Sequence, residues 1–412
     1  MRILPSSSTT SSCPLLQEDL TNPTTYENIE LADMWKDIQG ENYWKGLLDP
    51  MNPVLQKEIL RYGDFAELCY DAFDIKLSTN DLGGCKYGLS ELFESCERAR
   101  HSCSAGYEVT KYLYAETDAL GRPIEQFVWI GFIAVSTNTE EIRRLGRRDI
   151  VVAWRGTETR QEWMQDARDI LVRARLSFSR FKHKVVRDGF PTTAPLRNKV
   201  LGRRLSSTPS LTDKDVRLEK GFLSCYISKG EDSRCARDTV ISEILRLVDK
   251  FKDESLSVTL TGHSLGAALA TLSSYHIKTF LNSKFPALPI PVTAFAFASP
   301  RVGNRAFALR IEELGVKVLR LVNKRDVVPK VPGFVFNENS WRWLTKLLDW
   351  LPWTYFHAGV PIILDNNDIR NFDPAYAHSL TVYLHLIEGY VGEGRPFKAS
   401  GRKRPAPVVA LY

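Results

Sequence analysis

No run of 18 or more consecutive apolar residues occurs in the 412-residue chain, so the sequence offers no candidate membrane-spanning helix and any membrane contact is expected to be peripheral. The seven cysteines are odd in number and scattered, and they contain no Cys-x-x-Cys pair, which argues against a disulfide framework or a zinc site. Free thiols are expected, with one bridge among Cys85, Cys96 and Cys103 left open. Neither the 25 glycines nor the 21 prolines are enriched, and no internal repeat or clear inter-domain linker is present. Collagen, coiled coil and pervasive disorder are thereby excluded.

Acids are missing from the first 17 residues, where Met1–Cys13 holds one arginine and seven Ser/Thr. It also lacks the apolar stretch of a secretory signal, so it reads as a plastid transit segment, the other reading being a short tail on a cytoplasmic protein. Charge is unevenly placed as well. Residues 172–207 carry +9 and residues 395–412 carry +5, so the formal net charge of +6 leaves −8 on everything else. These basic stretches lack interleaved aromatics of the stacking kind and any binding motif, which argues against nucleic acid as a partner.

Periodicity gives the organisation of the rest. Asn52 can cap a helix that Pro53 opens, with Leu55, Ile59, Tyr62, Cys69 and Phe73 at roughly helical spacing. Residues 76–105 read as irregular connection. Strands are expected at 127–136, 149–154, 256–261, 292–298, 316–322 and 360–364, with a further strand at Lys220-Gly221-Phe222. Helices are expected around 240–251, 265–275 and 307–314. Strands alternating with helices argue for an α/β domain whose central sheet is mostly parallel and buried on both faces.

The chemistry centres on Gly262-His263-Ser264-Leu265-Gly266, a G-x-S-x-G motif at the end of an apolar strand and the start of a small-residue helix. A sharp strand-to-helix turn lifts the serine hydroxyl above the sheet. A hydroxyl becomes a useful nucleophile only when a base takes its proton and a carboxylate orients that base. With the order Ser, acid, His, only His357, His378 and His385 can serve as base. Asp326, which follows the strand ending at Val322 by a short Asn-Lys-Arg turn, is the candidate carboxylate. Two backbone amides should face the oxyanion, that of Leu265 and one from the Arg155-Gly156-Thr157 turn, assigned to Thr157. Position alone ranks the three histidines weakly, with His378 favoured because it follows a polar loop and precedes an apolar stretch.

Val152-Ala-Trp-Arg-Gly-Thr157, Glu162-Trp163, Thr261–Gly266, Phe297-Ala-Ser-Pro-Arg-Val-Gly-Asn304, Leu314–Arg320 and Asp326-Val-Val-Pro329 together resemble the class 3, fungal-type lipases. Met34–Gly40, Leu48-Asp-Pro50, Arg61-Tyr-Gly63, Arg144–Ile150 and Val331-Pro-Gly-Phe334 are similar to the plant phospholipase A1 branch, and within it to the chloroplastic class I group with its anther-dehiscence and galactolipase members. Over roughly residues 30–395, the resemblance implies an α/β-hydrolase fold with an N-terminal helical extension and a lid. It also implies no cofactor or metal, and hydrolysis of the sn-1 acyl ester of phospholipids, galactolipids or acylglycerols. It points to His378 as the base, His357 second, and to Glu158–Leu171 as the lid, with Trp163 and Met164 on its apolar side.

The expected organisation is a tail over 1–29, one domain over 30–394 containing the basic insertion at about 172–207, and a basic tail over 395–412. That insertion and that tail depart from the family pattern. The implied partners are a glycerolipid substrate and a peripheral membrane or lipid-droplet surface, which the basic insertion would help to dock when it is anionic. An acyltransferase would share every residue named, and a catalytically silent lipase-like signalling protein would share the fold.

Overall fold

A computed structural model describes residues 30–74, 83–96, 106–116, 127–156, 215–228, 235–332, 354–365 and 374–402. The transit-like segment, the lid over 158–171 with Trp163 and Met164, the insertion over 172–207, Thr157 and residues 403–412 lie outside them. A two-stranded hairpin pairs β1 (Phe73–Asp74) with β2 (Gly84–Cys85). The central sheet has seven strands, β3 (Tyr107–Glu116), β4 (Phe127–Ser136), β5 (Arg148–Trp154), β6 (Leu256–His263), β7 (Val292–Phe297), β8 (Lys317–Asn323) and β9 (Val360–Leu364), side by side in sequence order. β3 to β5 pair antiparallel, and β5 to β9 run parallel.

β5, β6 and β7 are buried on both faces, which explains their nearly unbroken apolar runs, whereas the edge strand β9 alternates buried and exposed residues. In β5, Val151 and Ala153 point to one core while Ile150, Val152 and Trp154 point to the other, the period of two expected of a strand. The first core is closed by α1 (Leu31–Ile38), α2 (Pro53–Asp71) and α10 (Leu380–Gly389). The second is closed by α5 (Lys220–Ile227), α6 (Ala236–Lys250), α7 (Leu265–Lys284) and α8 (Arg305–Glu313). The short α3 (Leu92–Ser95), α4 (Thr139–Leu145) and α9 (Pro374–His378) complete the α-helices among the described residues, and a 3-10 turn spans Val328–Lys330.

Asn52 caps α2 as expected, its side chain accepting from the Val54 and Leu55 amides at 2.9 and 3.0 Å, with Pro53 in the first turn. The expected strand at Lys220–Phe222 is instead the start of α5. Phe222, Cys225 and Tyr226 are its buried residues, a helical spacing of three and four, and the Glu219 carboxylate caps it from outside. β3 was not expected, because its polar outward residues and two register shifts blur the alternation. Residues 76–105, read as irregular, contribute β2 and α3. Cys85 and Cys96 are free thiols, so no bridge joins them. Residues 395–402 pack back on the domain, with Phe397 edge-on to Tyr390 and Arg402 paired with Asp64 of α2 at 2.9 Å.

The amino ends of β5 and β6 carry a buried polar cluster that seats α2. Asp149 accepts from Tyr62 and Tyr107 hydroxyls at 2.9 Å each, from Ser257 at 2.7 Å and from Thr259 at 2.8 Å. Arg61 and Arg147 lie 3.7 and 3.9 Å from its carboxylate. Burial alone would raise the Asp149 pKa, but Arg147, Arg61 and the hydroxyl donors outweigh it and hold it below its ordinary 3.8. Asp149→Asn leaves the buried Arg147 guanidinium without its paired anion, while Arg61 keeps Glu58 at 2.6 Å, and is expected to destabilise the domain by about 3 kcal/mol at neutral pH. Urea unfolding measures this. Because the folded pKa is depressed, the carboxylate's contribution is complete above pH 3.8 and fades as pH falls toward the folded value, so wild type and variant should converge only in acid.

Candidate active site

β6 ends in Gly262-His263, and α7 begins at Leu265, so Ser264 must turn the chain alone. It does so at φ 58° and ψ −121°, a left-handed backbone that a serine adopts only when its surroundings impose it. Its amide donates to the Phe297 carbonyl at 2.9 Å, and its carbonyl accepts from the Ala267 amide at 3.0 Å. Close packing makes the flanking glycines necessary. A Cβ on Gly262 would lie 2.4 Å from the Gly266 carbonyl, and one on Gly266 would lie 2.3 Å from the Trp154 oxygen.

The other side chains arrive from the carboxyl side of the sheet. His378 ends α9, a short helical turn where the sequence suggested a loop, and its Nε2 lies 2.8 Å from Ser264 Oγ. Its Nδ1 lies 2.7 Å from Asp326 Oδ2. Asp326 is fully buried three residues beyond β8, where its other oxygen accepts from the Val328 amide at 2.9 Å. The Tyr383 hydroxyl also donates to Oδ2, at 2.7 Å, and accepts from the Asn323 amide at 3.0 Å. Burial, and then Asp326, push the Tyr383 pKa well above the ordinary phenol value, so this hydroxyl keeps its proton. With Oδ2 already accepting, His378 Nδ1 carries the hydrogen between them, which leaves Nε2 free to accept from the serine hydroxyl.

The other two histidines sit elsewhere. His357 Nε2 is 2.8 Å from the Pro329 carbonyl, and burial, with Arg320 and Arg301 nearby, keeps it neutral. His385 Nδ1 lies 3.3 Å from the Arg402 carbonyl.

Leu265 opens a 20-residue helix, so its amide is one of those the helix cannot satisfy and it sits at the positive end of the helix dipole. The partner amide expected from Thr157 is outside the described residues, but the turn leading to it is in view. Gly156 packs against the turn that carries the serine, and a Cβ there would lie 2.2 Å from the Tyr70 hydroxyl and 2.5 Å from the His263 carbonyl. Gly156→Ala is therefore expected to displace the serine turn and to lower kcat on a soluble ester by about a hundredfold, the scale of a misplacement near 1 Å. An unchanged kcat would mean that this contact does not govern the site.

Sequence reasoning missed Tyr383, Asn323, Tyr70 and the use made of His263. Tyr383 lies five residues after His378 in an apolar stretch and looks like core. Tyr70 comes from α2, almost 200 residues away in sequence from the serine, and nothing local marks it.

Comparison with known proteins finds relatives of the chain. Residues 151–336 match the family described as Lipase (class 3). Phospholipase A1-Igamma1, chloroplastic, of Arabidopsis thaliana is 41% identical over 409 residues, which cover 93% of this chain and 72% of the relative. Galactolipase DONGLE, chloroplastic, from the same plant is 39% identical over 371 residues, 87% of this chain and 70% of the relative. Phospholipase A(1) DAD1, chloroplastic, also from Arabidopsis thaliana, is 38% identical over 398 residues, 91% of this chain and 80% of the relative.

Proposed function

The chain belongs to the class 3 lipase family, in its plant phospholipase A1 branch, and from that premise we propose that it cleaves the sn-1 acyl ester of membrane glycerolipids through an acyl-enzyme on Ser264. It is a carboxylic ester hydrolase acting on glycerolipids, and its localisation is chloroplastic, as the names of its relatives are. The single observation that supports the mechanism best is the placement of His378 between Ser264 Oγ and Asp326 Oδ2, at 2.8 and 2.7 Å.

In this reading Ser264 Oγ attacks the acyl carbonyl as His378 Nε2 takes its proton. Asp326 holds the resulting imidazolium, with Tyr383 fixing the carboxylate from its far side. The Leu265 and Thr157 amides face the oxygen on which charge develops. His378 then protonates the departing glycerol oxygen, and a water activated by the same histidine releases the fatty acid. One domain over residues 30–394 carries this chemistry, and the basic segment over 172–207 docks it on anionic lipid, each bound cation contributing about 1 kcal/mol near such a surface.

The test is purified full-length protein on dispersions of phosphatidylcholine, monogalactosyldiacylglycerol or triacylglycerol, with free fatty acid and the lyso or diacylglycerol product quantified. Release of fatty acid with an sn-2 lyso product supports the proposal. Acyl groups recovered on an added alcohol instead of as free acid would make it a transferase, and no turnover of any lipid would make it a silent member of the family.

A further inference from the structure

His378 rides on a helix of five residues, too short to hold a catalytic imidazole in place by itself. The peptide groups around it are held from outside. Asn323 Nδ2, at the end of the strand that leads to Asp326, donates to the Ala377 carbonyl at 2.8 Å. His263 Nε2, at the end of the strand that leads to Ser264, lies 2.7 Å from the carbonyl of His378 itself. The second ring nitrogen of His263 lies 2.8 Å from the Tyr70 hydroxyl, near the end of α2.

A carbonyl oxygen only accepts, so the Nε2 of His263 carries a hydrogen and donates it. Burial, and then the neighbouring His378, hold the His263 pKa well below its ordinary value. A neutral ring protonated on Nε2 must accept at Nδ1, which makes Tyr70 the donor there. The chain of donation therefore runs from Tyr70 to His263 to the backbone of His378. The two imidazoles lie with centroids 4.6 Å apart, yet His263 has no hydrogen bond to the serine or to Asp326.

We propose that His263 is a positioning residue for the reaction, a neutral clamp that ties the backbone of the base His378 to the strand bearing the nucleophile, with Tyr70 fixing its tautomer and Asn323 holding the preceding carbonyl. The inference rests on the functional reading given above. It explains why a polar, buried ring stands beside the nucleophile where an apolar residue would fill the space. The clamp couples the Ser264 to His378 distance to the sheet, so a change that frees the carbonyl lets the imidazole drift while leaving the lipid site intact.

His263→Gln and His263→Asn separate this role from packing. Both are neutral and polar, but the glutamine amide reaches the position of Nε2 and the asparagine amide only that of Nδ1. With a soluble ester, His263→Gln is expected to keep kcat within about fivefold of wild type, and His263→Asn to lose about 30- to 100-fold, with KM within about twofold in both. Phosphonylation of Ser264 by a fluorophosphonate should slow in the same order. Equal kcat for the two variants, or a faster His263→Asn, would overturn the clamp. His263→Leu, where it folds, should match His263→Asn, and wild-type kcat in it would also overturn the clamp. A wild-type protein with no hydrolysis would instead count against the functional reading, and the order of phosphonylation rates would still decide the clamp.

Discussion

Ser264→Ala is expected to lower ester hydrolysis by about five to six orders of magnitude, the scale seen when the nucleophile of a concerted triad is removed. The variant removes the hydroxyl that lies 2.8 Å from His378 Nε2, and with it the oxygen that the base deprotonates. The fold should survive. The strained turn at φ 58° is imposed by the Gly262 and Gly266 contacts and by the hydrogen bond that the Ser264 amide donates to the Phe297 carbonyl, none of which uses the hydroxyl. Alanine at that φ costs about what serine does, and the thermal midpoint should move by no more than a few degrees. Lipid binding should persist. Circular dichroism with fatty-acid release checks both halves, and residual activity above a thousandth of wild type would show that another group attacks the ester.

Asp326→Asn is expected to cost about four orders of magnitude in kcat, the size of the same exchange in serine proteases. The Val328 amide and the Tyr383 hydroxyl both donate to the carboxylate, so an asparagine must turn its oxygen to one of them and its NH2 to the other. With the NH2 on the side of Oδ2, it donates to His378 Nδ1 and moves the imidazole hydrogen to Nε2. A protonated Nε2 cannot accept from Ser264. If the carboxylate merely filled space, the loss would be below tenfold. A pH profile is informative here as well, because deprotonating conditions cannot restore an imidazole locked in the wrong tautomer.

Much of this site is legible in the sequence because its local chemistry is local in the chain. The serine turn needs a strand, two small residues and a helix close together in the chain, and Leu256–Leu269 supplies them in order. Asp326 could be picked out because it follows β8 by a short turn. The base was different. Three histidines satisfied the chain order; position favoured His378 only weakly, and the resemblance strengthened the choice of the one that the fold brings to Ser264. The Asp149 cluster and the His263 clamp were not legible, since each joins side chains from separate elements, and a buried tyrosine in an apolar run carries no mark of what its hydroxyl will meet. The helix at Lys220–Ile227 was misread for a simpler reason. Three residues are too few to tell a period of two from one of 3.6, and Cys225 and Tyr226 decide it.

The central claim is that Ser264 forms the covalent acyl intermediate, and its most direct test is mass mapping of the protein after reaction with a fluorophosphonate. Wild type should carry one phosphonate per chain, on the peptide containing Ser264, and lose hydrolysis in proportion, while Ser264→Ala stays unlabelled. An adduct on any other residue, or full hydrolysis by a protein whose Ser264 is blocked, would contradict it.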